Sequence, residues 1–138
     1  MKTSNESNLR SEMLIVAQKL VEFGLNRGTS GNVSVRLSAS TWLVTPSGVP
    51  VDALSTESMV LMDFEKGPLG DQCPSSEWRL HHDILMARSD VGAVVHTHSR
   101  FATSFSCLQQ DIPAFHYMIA AAGGDSLNLV GHSIWRTR

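Results

Sequence analysis

The apolar positions near the start of the chain recur at helical spacing. Leu9, Met13, Val16, Leu20 and Phe23 fall on one stripe, which predicts an amphipathic helix over 6–24 with these residues toward a core. "TSNE" (Thr3 to Glu6) reads as a capping box and Gly24 as a C-terminal stop. The period then changes. Val33, Val35 and Leu37 alternate with Ser34 and Arg36, the signature of a strand with one buried face. "TWLVTPSGVP" adds a short strand from Trp42 to Thr45 and a turn at Pro46-Ser47-Gly48. "SMVLMDF" reads as another strand, and "EKGPLGDQCP" as a loop over 65–74. "SSEWRLHHDILMARS" is helix-like, with Leu80, Ile84 and Ala87 on one face. "AVVHT" is an apolar, β-branched strand, with Val94 and Val95 as a buried strand would have them, "SRFATSFSCLQQ" a helix and "LNLV" a last short strand. Strands interleaved with helices, with no dividing linker, predict a single layered α/β domain over 1–138.

Composition narrows the function classes. The chain has 138 residues, 42% of them hydrophobic and 17% charged, with a formal net charge of −2. That length supports a real core. The charge balance, without any Lys/Arg run, gives no reason to expect a nucleic acid or an anionic membrane as partner. No apolar run approaches the roughly 20 residues that a membrane span needs. The first ten residues lack an apolar signal core, and Cys73 and Cys107 form no spaced pair, so a cytoplasmic protein with reduced thiols is expected.

The chemistry-bearing residues lie between the periodic segments. His96 and His98 end an apolar strand. Side chains at i and i+2 share a face, so both imidazoles can reach one ion at about 2.0–2.1 Å. Two histidines alone are as readily exposed or satisfied side chains, and a metal site needs a third ligand. Glu77, in "CPSSEWR", is a candidate, although a carboxylate in a first helical turn is often only dipole-stabilising. Ser75 and Ser76 just before it offer either an N-cap or hydroxyls for an anion. "RGTSGNVS" places Gly28 and Gly31 among Thr29, Ser30 and Asn32. Its backbone amides can approach a ligand closely, but no Lys-Ser/Thr follows as in a Walker loop. His81, four residues after Glu77, is placed to orient it; with His82 it reads as a solvated or supporting residue on a polar helix face. Tyr117, near His116, could donate a proton or simply pack. His132 stands in the tail without a partner nearby.

Taken in order, "GLNRGTSGNVSVR", "LVTPSGVP", "PSSEWRLHHDI", "AVVHTHS" and "IPAFHYMIAAAGG" resemble the metal-dependent class II aldolases of the aldolase/adducin-head superfamily. The nearest branch is that of the L-fuculose-phosphate aldolases, and the resemblance runs from about residue 9 to about residue 129. It implies a three-layer α/β/α sandwich with a central mixed, mostly antiparallel sheet. It implies Zn2+ held by Glu77, His96 and His98 together with a third histidine, and Glu77 and Tyr117 as the catalytic pair. It places phosphate binding on Gly31, Asn32, Ser47, Gly48, Ser75 and Ser76. The implied reaction is reversible cleavage of a sugar phosphate to dihydroxyacetone phosphate and a hydroxyaldehyde, with zinc as Lewis acid and Glu77 moving the proton beside the carbonyl. The implied assembly is a homotetramer with sites between subunits.

Two other readings share this fold. One is a pentulose-phosphate 4-epimerase or sugar-acid-phosphate decarboxylase. The other is an interaction module without the metal site. Trp78-Arg79 after Glu77 and "HYMIAAAGG" favour the aldolase, and retention of Glu77, His96 and His98 argues against the module. From about Val130 the sequence "VGHSIWRTR" leaves the family pattern, and the segment carrying the third histidine has no counterpart. The spacing of His132 gives no support for it as a substitute. On the resemblance, the chain is therefore expected to lack the C-terminal third of the domain, to hold metal more weakly, to leave a sheet edge uncovered and to have little aldolase activity by itself.

Overall fold

The computed structural model describes residues 4–113 and 117–118. They fall in two compact units, Met1–His98 and Ser99–Arg138. In the first, α1 (Ser4–Glu22) precedes a five-stranded sheet formed by β1 (Asn32–Arg36), β2 (Thr41–Val44), β3 (Val60–Asp63), β4 (Gly67–Pro68) and β5 (Ala93–His96), with α2 (Trp78–Ala87) inserted before β5. The spatial order is β4-β3-β2-β1-β5, and every described strand pair is antiparallel. In the second unit, α3 (Arg100–Cys107) is an eight-residue helix that ends as Gln109 turns to φ 55°. The expected strand "LNLV" and the capping residue Thr3 lie outside the described residues. No helix among the described residues is long and apolar enough to cross a membrane.

Strand alternation separates two cores. Val33, Leu43 and the partly buried Val35 and Leu61 pack with Met13 and Leu20 of α1 and with Met59. Trp42, Val44, Val60 and Met62 point to the other face and pack with Leu85 of α2. The register agrees, because Trp42 pairs with Met62, Leu43 with Leu61 and Val44 with Val60, so like-facing side chains stack across the sheet. The sheet is therefore sandwiched between α1 and α2, as the resemblance implies.

The α1 stripe differs from the sequence reading at its end. Its buried residues are Glu6, Arg10, Met13, Ala17 and Leu20, while Phe23 is exposed. The helix stops at Glu22, and Gly24 takes φ +70° to reverse the chain, so Phe23 leaves the stripe before it can meet the sheet. Two charged residues occupy the buried face instead. Arg10 forms a 2.7 Å ion pair with Glu6 one turn earlier. It also donates to the Met59 carbonyl at 2.6 Å and the Thr56 carbonyl at 3.2 Å, so its charge is paired and its donors are used where they are buried.

Four further expectations change. β1 was expected to bury one face only, yet Ser34 is fully buried because α2 covers the second face. Within the 65–74 loop, Gly67–Pro68 forms the two-residue β4 against β3. On α2 the buried residues are His81 and Leu85, whereas Leu80 is about half exposed. Hydrophobic periodicity points to the wrong helix face because His81, polar in the pattern, is a hydrogen-bonded imidazole that occupies a core position. Val95 of β5 is also exposed, although it was read as part of a buried strand.

Leu43 is inaccessible at the centre of the α1-side core. Leu43→Ala should lower unfolding free energy by about 2–5 kcal/mol in urea titrations, and Phe23→Ala should stay within about 0.5 kcal/mol. Equal effects at the two positions would contradict this account of the core.

Candidate active site and its polar support

The site gathers where β1, β5 and the start of α2 meet. Asn32 opens β1 and pairs directly with His96, the last residue of β5. His98 lies two residues further on, and its ring centroid is 4.8 Å from that of His96. Glu77 immediately precedes α2 without capping it through its side chain. Ser75 serves the helix start instead, its Oγ accepting the Glu77 N–H at 3.3 Å. The Glu77 carboxylate is thereby left to face the strand ends. Its Oε2 accepts a 2.7 Å hydrogen bond from Asn32 Nδ2.

Oε2 of Glu77 also lies 2.9 Å from His96 Nδ1. The direction is wrong for a hydrogen bond, however, and His96 Nδ1 is a buried nitrogen without a hydrogen-bond partner among the described residues. Close approach without donor–acceptor alignment is what two ligands aimed at one ion produce. Glu77, His96 and His98 each present an atom within 4.8 Å of the others. Two imidazoles and one carboxylate are a donor set used by open, catalytic zinc sites, which keep a coordination position for water or substrate. These residues therefore fit a divalent metal.

Hydrogen bonds fix the surrounding loops. Ser75 N–H donates to the Thr45 carbonyl and Ser47 N–H to the Cys73 carbonyl, both at 3.0 Å, and Pro46 bridges Pro74. These contacts bring the "TPSG" turn beside the start of α2. Gly48 takes φ +68° in that turn. The cleft that results, of about 240 Å³, is lined by Gly31, Asn32, Ser47, Gly48, Ser75 and Ser76 together with Glu77 and His98. All six positions expected to meet phosphate thus border one cavity beside two of the metal-binding candidates. Helix-start amides and hydroxyls suit an anion there. Tyr117 belongs to the second unit, where it is exposed; His116 and His132 lie outside the described residues.

Three supporting residues were not recognised from sequence as buried parts of the site. Ser34 Oγ lies 2.7 Å from His81 Nδ1, and His81 Nε2 contacts Asn32 Oδ1. Burial, first, and the nearby His96 push the His81 imidazole down to about 4, against a smaller opposing effect of Glu77. Asn26, buried behind the glycine-rich loop, accepts the His98 N–H on Oδ1 at 3.0 Å. Position Gly31 has φ +72°, and a Cβ there would lie closer than 3.0 Å to the Asn26 side chain. The signals for these residues were weak: a serine on the polar phase of a strand, a histidine one turn after Glu77 and a lone asparagine before the glycines.

A family model described as "Class II Aldolase and Adducin N-terminal domain" matches residues 11–133. The chain is 46% identical over 129 residues to the 5-methylthioribulose-1-phosphate/5-deoxyribulose-1-phosphate aldolase of Rhodospirillum rubrum, covering 94% of this chain and 58% of that protein. It is 39% identical over 132 residues to the L-fuculose phosphate aldolase of Escherichia coli, covering 96% and 61%. A solved L-fuculose 1-phosphate aldolase superposes with a TM-score of 0.81 at 33% identity, covering 96% of this chain and 64% of that one. The chain thus spans about three-fifths of the length of these curated relatives.

Two outcomes follow from the support. His81 is neutral in the fold and binds its proton more readily when unfolded, so stability is present above its ordinary value of 6.5 and declines toward about 4. The decline approaches about 1.4 kcal/mol per pH unit within that window. Urea unfolding in chelator should show this loss in the parent and not in His81→Gln; the same slope in both would assign it elsewhere. Gly31→Ala should cost about 1–3 kcal/mol and speed hydrogen exchange at the His98 amide. Gly28→Ala also sits at positive φ but meets open space, and it should leave that amide unchanged.

Proposed function

The chain belongs to the class II aldolase and adducin N-terminal domain family, and on that premise we propose that it is the metal- and phosphate-binding part of a sugar-phosphate aldolase. The carrying observation is the convergence of Glu77, His96 and His98 at the edge of a cleft lined by the Ser47, Ser75 and Ser76 hydroxyl residues and the Gly31 loop. The relatives that carry aldolase names act on ketose 1-phosphates, and the substrate class proposed here is the same: an L-fuculose 1-phosphate or 5-deoxyribulose 1-phosphate type of sugar.

Glu77, His96 and His98 would hold the metal, with zinc the ion best suited to two imidazoles and a carboxylate. When bound, the metal supplies Lewis-acid polarisation of the ketose carbonyl. The chain's own residues do the rest. Ser47, Ser75, Ser76 and Asn32 would hold the phosphate, so binding energy remote from the reacting carbon orients the sugar. Glu77, at the boundary of phosphate cleft and metal ligands, is positioned to move the proton on the carbon next to the carbonyl. Tyr117 is proposed as the second proton donor on the family resemblance. A homotetrameric assembly in the cytoplasm completes the proposal.

Binding provides the test, because it reads the site directly. In calorimetric titrations the purified chain should take up one zinc ion, and His96→Ala should weaken uptake at least tenfold. Dihydroxyacetone phosphate should bind the zinc-loaded protein, and Ser75→Ala combined with Ser76→Ala should reduce that affinity at least tenfold. Any release of dihydroxyacetone phosphate from the two ketose phosphates should fall about 100-fold or more in Glu77→Gln. Absence of zinc uptake, or phosphate binding indifferent to both serines, would sink the proposal.

A further inference from the structure

We propose that His81 is a positioning residue for the Glu77 carboxylate, acting through the side-chain amide of Asn32. The inference rests on the reading of Glu77 as ligand and proton carrier. It concerns a side chain that makes no direct hydrogen bond to the metal-ligand candidates and does not itself line the cleft.

The contacts form one chain: Ser34 Oγ with His81 Nδ1 at 2.7 Å, His81 Nε2 with Asn32 Oδ1, and Asn32 Nδ2 with Glu77 Oε2 at 2.7 Å. Ser34 and His81 are wholly buried and Asn32 is 6% exposed, so water is a poor substitute partner. Chemistry sets the direction of each bond. A carboxylate only accepts, so Asn32 must turn its NH2 to Glu77. Its Oδ1 then faces His81 and requires a donor, which makes Nε2 the protonated nitrogen of a neutral ring. Nδ1 is left to accept the Ser34 hydroxyl proton. Every donor in the sequence Ser34, His81, Asn32 points toward Glu77.

Reversing one link reverses the others. With the Asn32 amide flipped, its carbonyl oxygen would oppose the carboxylate, and Glu77 would lose this support. The imidazole tautomer thus selects the amide orientation, and the amide fixes one carboxylate oxygen. Because Asn32 also borders the cleft, the same amide separates the phosphate end of the site from the proton-transfer end. Partners that orient a ligand in this way commonly contribute 10–100-fold to metal affinity.

The full chain, labelled with 15N, gives a direct readout at neutral pH without metal. The His81 ring should show a protonated Nε2 and an unprotonated Nδ1. Zinc titration should then show affinity about 10–100-fold weaker in His81→Phe, which keeps a ring but removes the donor. His81→Gln, whose amide can still donate toward Asn32, should recover most of that loss even where its thermal stability matches that of His81→Phe. A purely structural role would make affinity follow stability in both variants. Should His81→Phe fail to fold, Ser34→Ala takes its place: the Nδ1-protonated tautomer should become populated, with zinc affinity reduced several-fold. A parent ring protonated at Nδ1, or unaltered zinc affinity in a folded His81→Phe or Ser34→Ala protein, would overturn the proposal. A parent chain that takes no zinc would remove the metal reading alone, leaving the 15N spectrum to decide the role of His81.

Discussion

A polar group withdrawn from water must find its partner inside the protein, and this constraint organises the layer between the sheet and α2. Ser34, His81 and Asn32 lie where an ordinary core would place aliphatic side chains. Unsatisfied, each would cost on the order of 1–3 kcal/mol. They are tolerated because each completes the next and the series ends on Glu77. The carboxylate gains a fixed orientation, and the core gains polar groups whose bonding needs are met. Stability and site geometry thus depend on the same contacts.

The other half of the site depends on close backbone approach. Asn26 can accept the His98 amide hydrogen only because Gly31 presents no side chain in its path. The glycine-rich turn therefore has two roles: it lines the cleft and leaves space behind itself for the residue that holds the strand end. Nearby, the serine and proline turn at 45–48 is tied to 73–75 by backbone hydrogen bonds. Segments distant in sequence reach one cavity through such main-chain contacts.

Much of this arrangement was legible in the sequence, for identifiable reasons. Period-two alternation in Val33, Val35 and Leu37 and the apolar run before His96 located β1 and β5. The i, i+2 spacing of His96 and His98 predicted their shared face. The motif order brought Glu77 and the phosphate residues into the same site hypothesis. The failures have an equally definite cause. Apolar patterning treats polarity as exposure, so it placed Leu80 inward and His81 outward, the reverse of what is seen. It also allotted Ser34 to solvent. Periodicity detects burial driven by hydrophobicity, whereas burial through a hydrogen-bond network is recorded only in three dimensions. Phe23 failed differently, since the helix ended before the stripe was complete.

Arg36, at the other end of β1, reaches the carbonyls of Leu85, Arg88 and Val91 and lies 5.2 Å from the Phe64 ring centre. β1 consequently grips α2 at both ends, through Asn32 at its start and Arg36 at its finish. The four strand steps from Asn32 to Arg36 span about 13 Å, and the eight helical steps from Glu77 to Leu85 span about 12 Å. The two lengths act as matched rulers. An insertion or deletion within either would shift one anchor out of reach, and in the strand a single-residue slip would also turn its side chains to the opposite face. The connecting loops carry no such constraint, and a longer chain there leaves this measure intact.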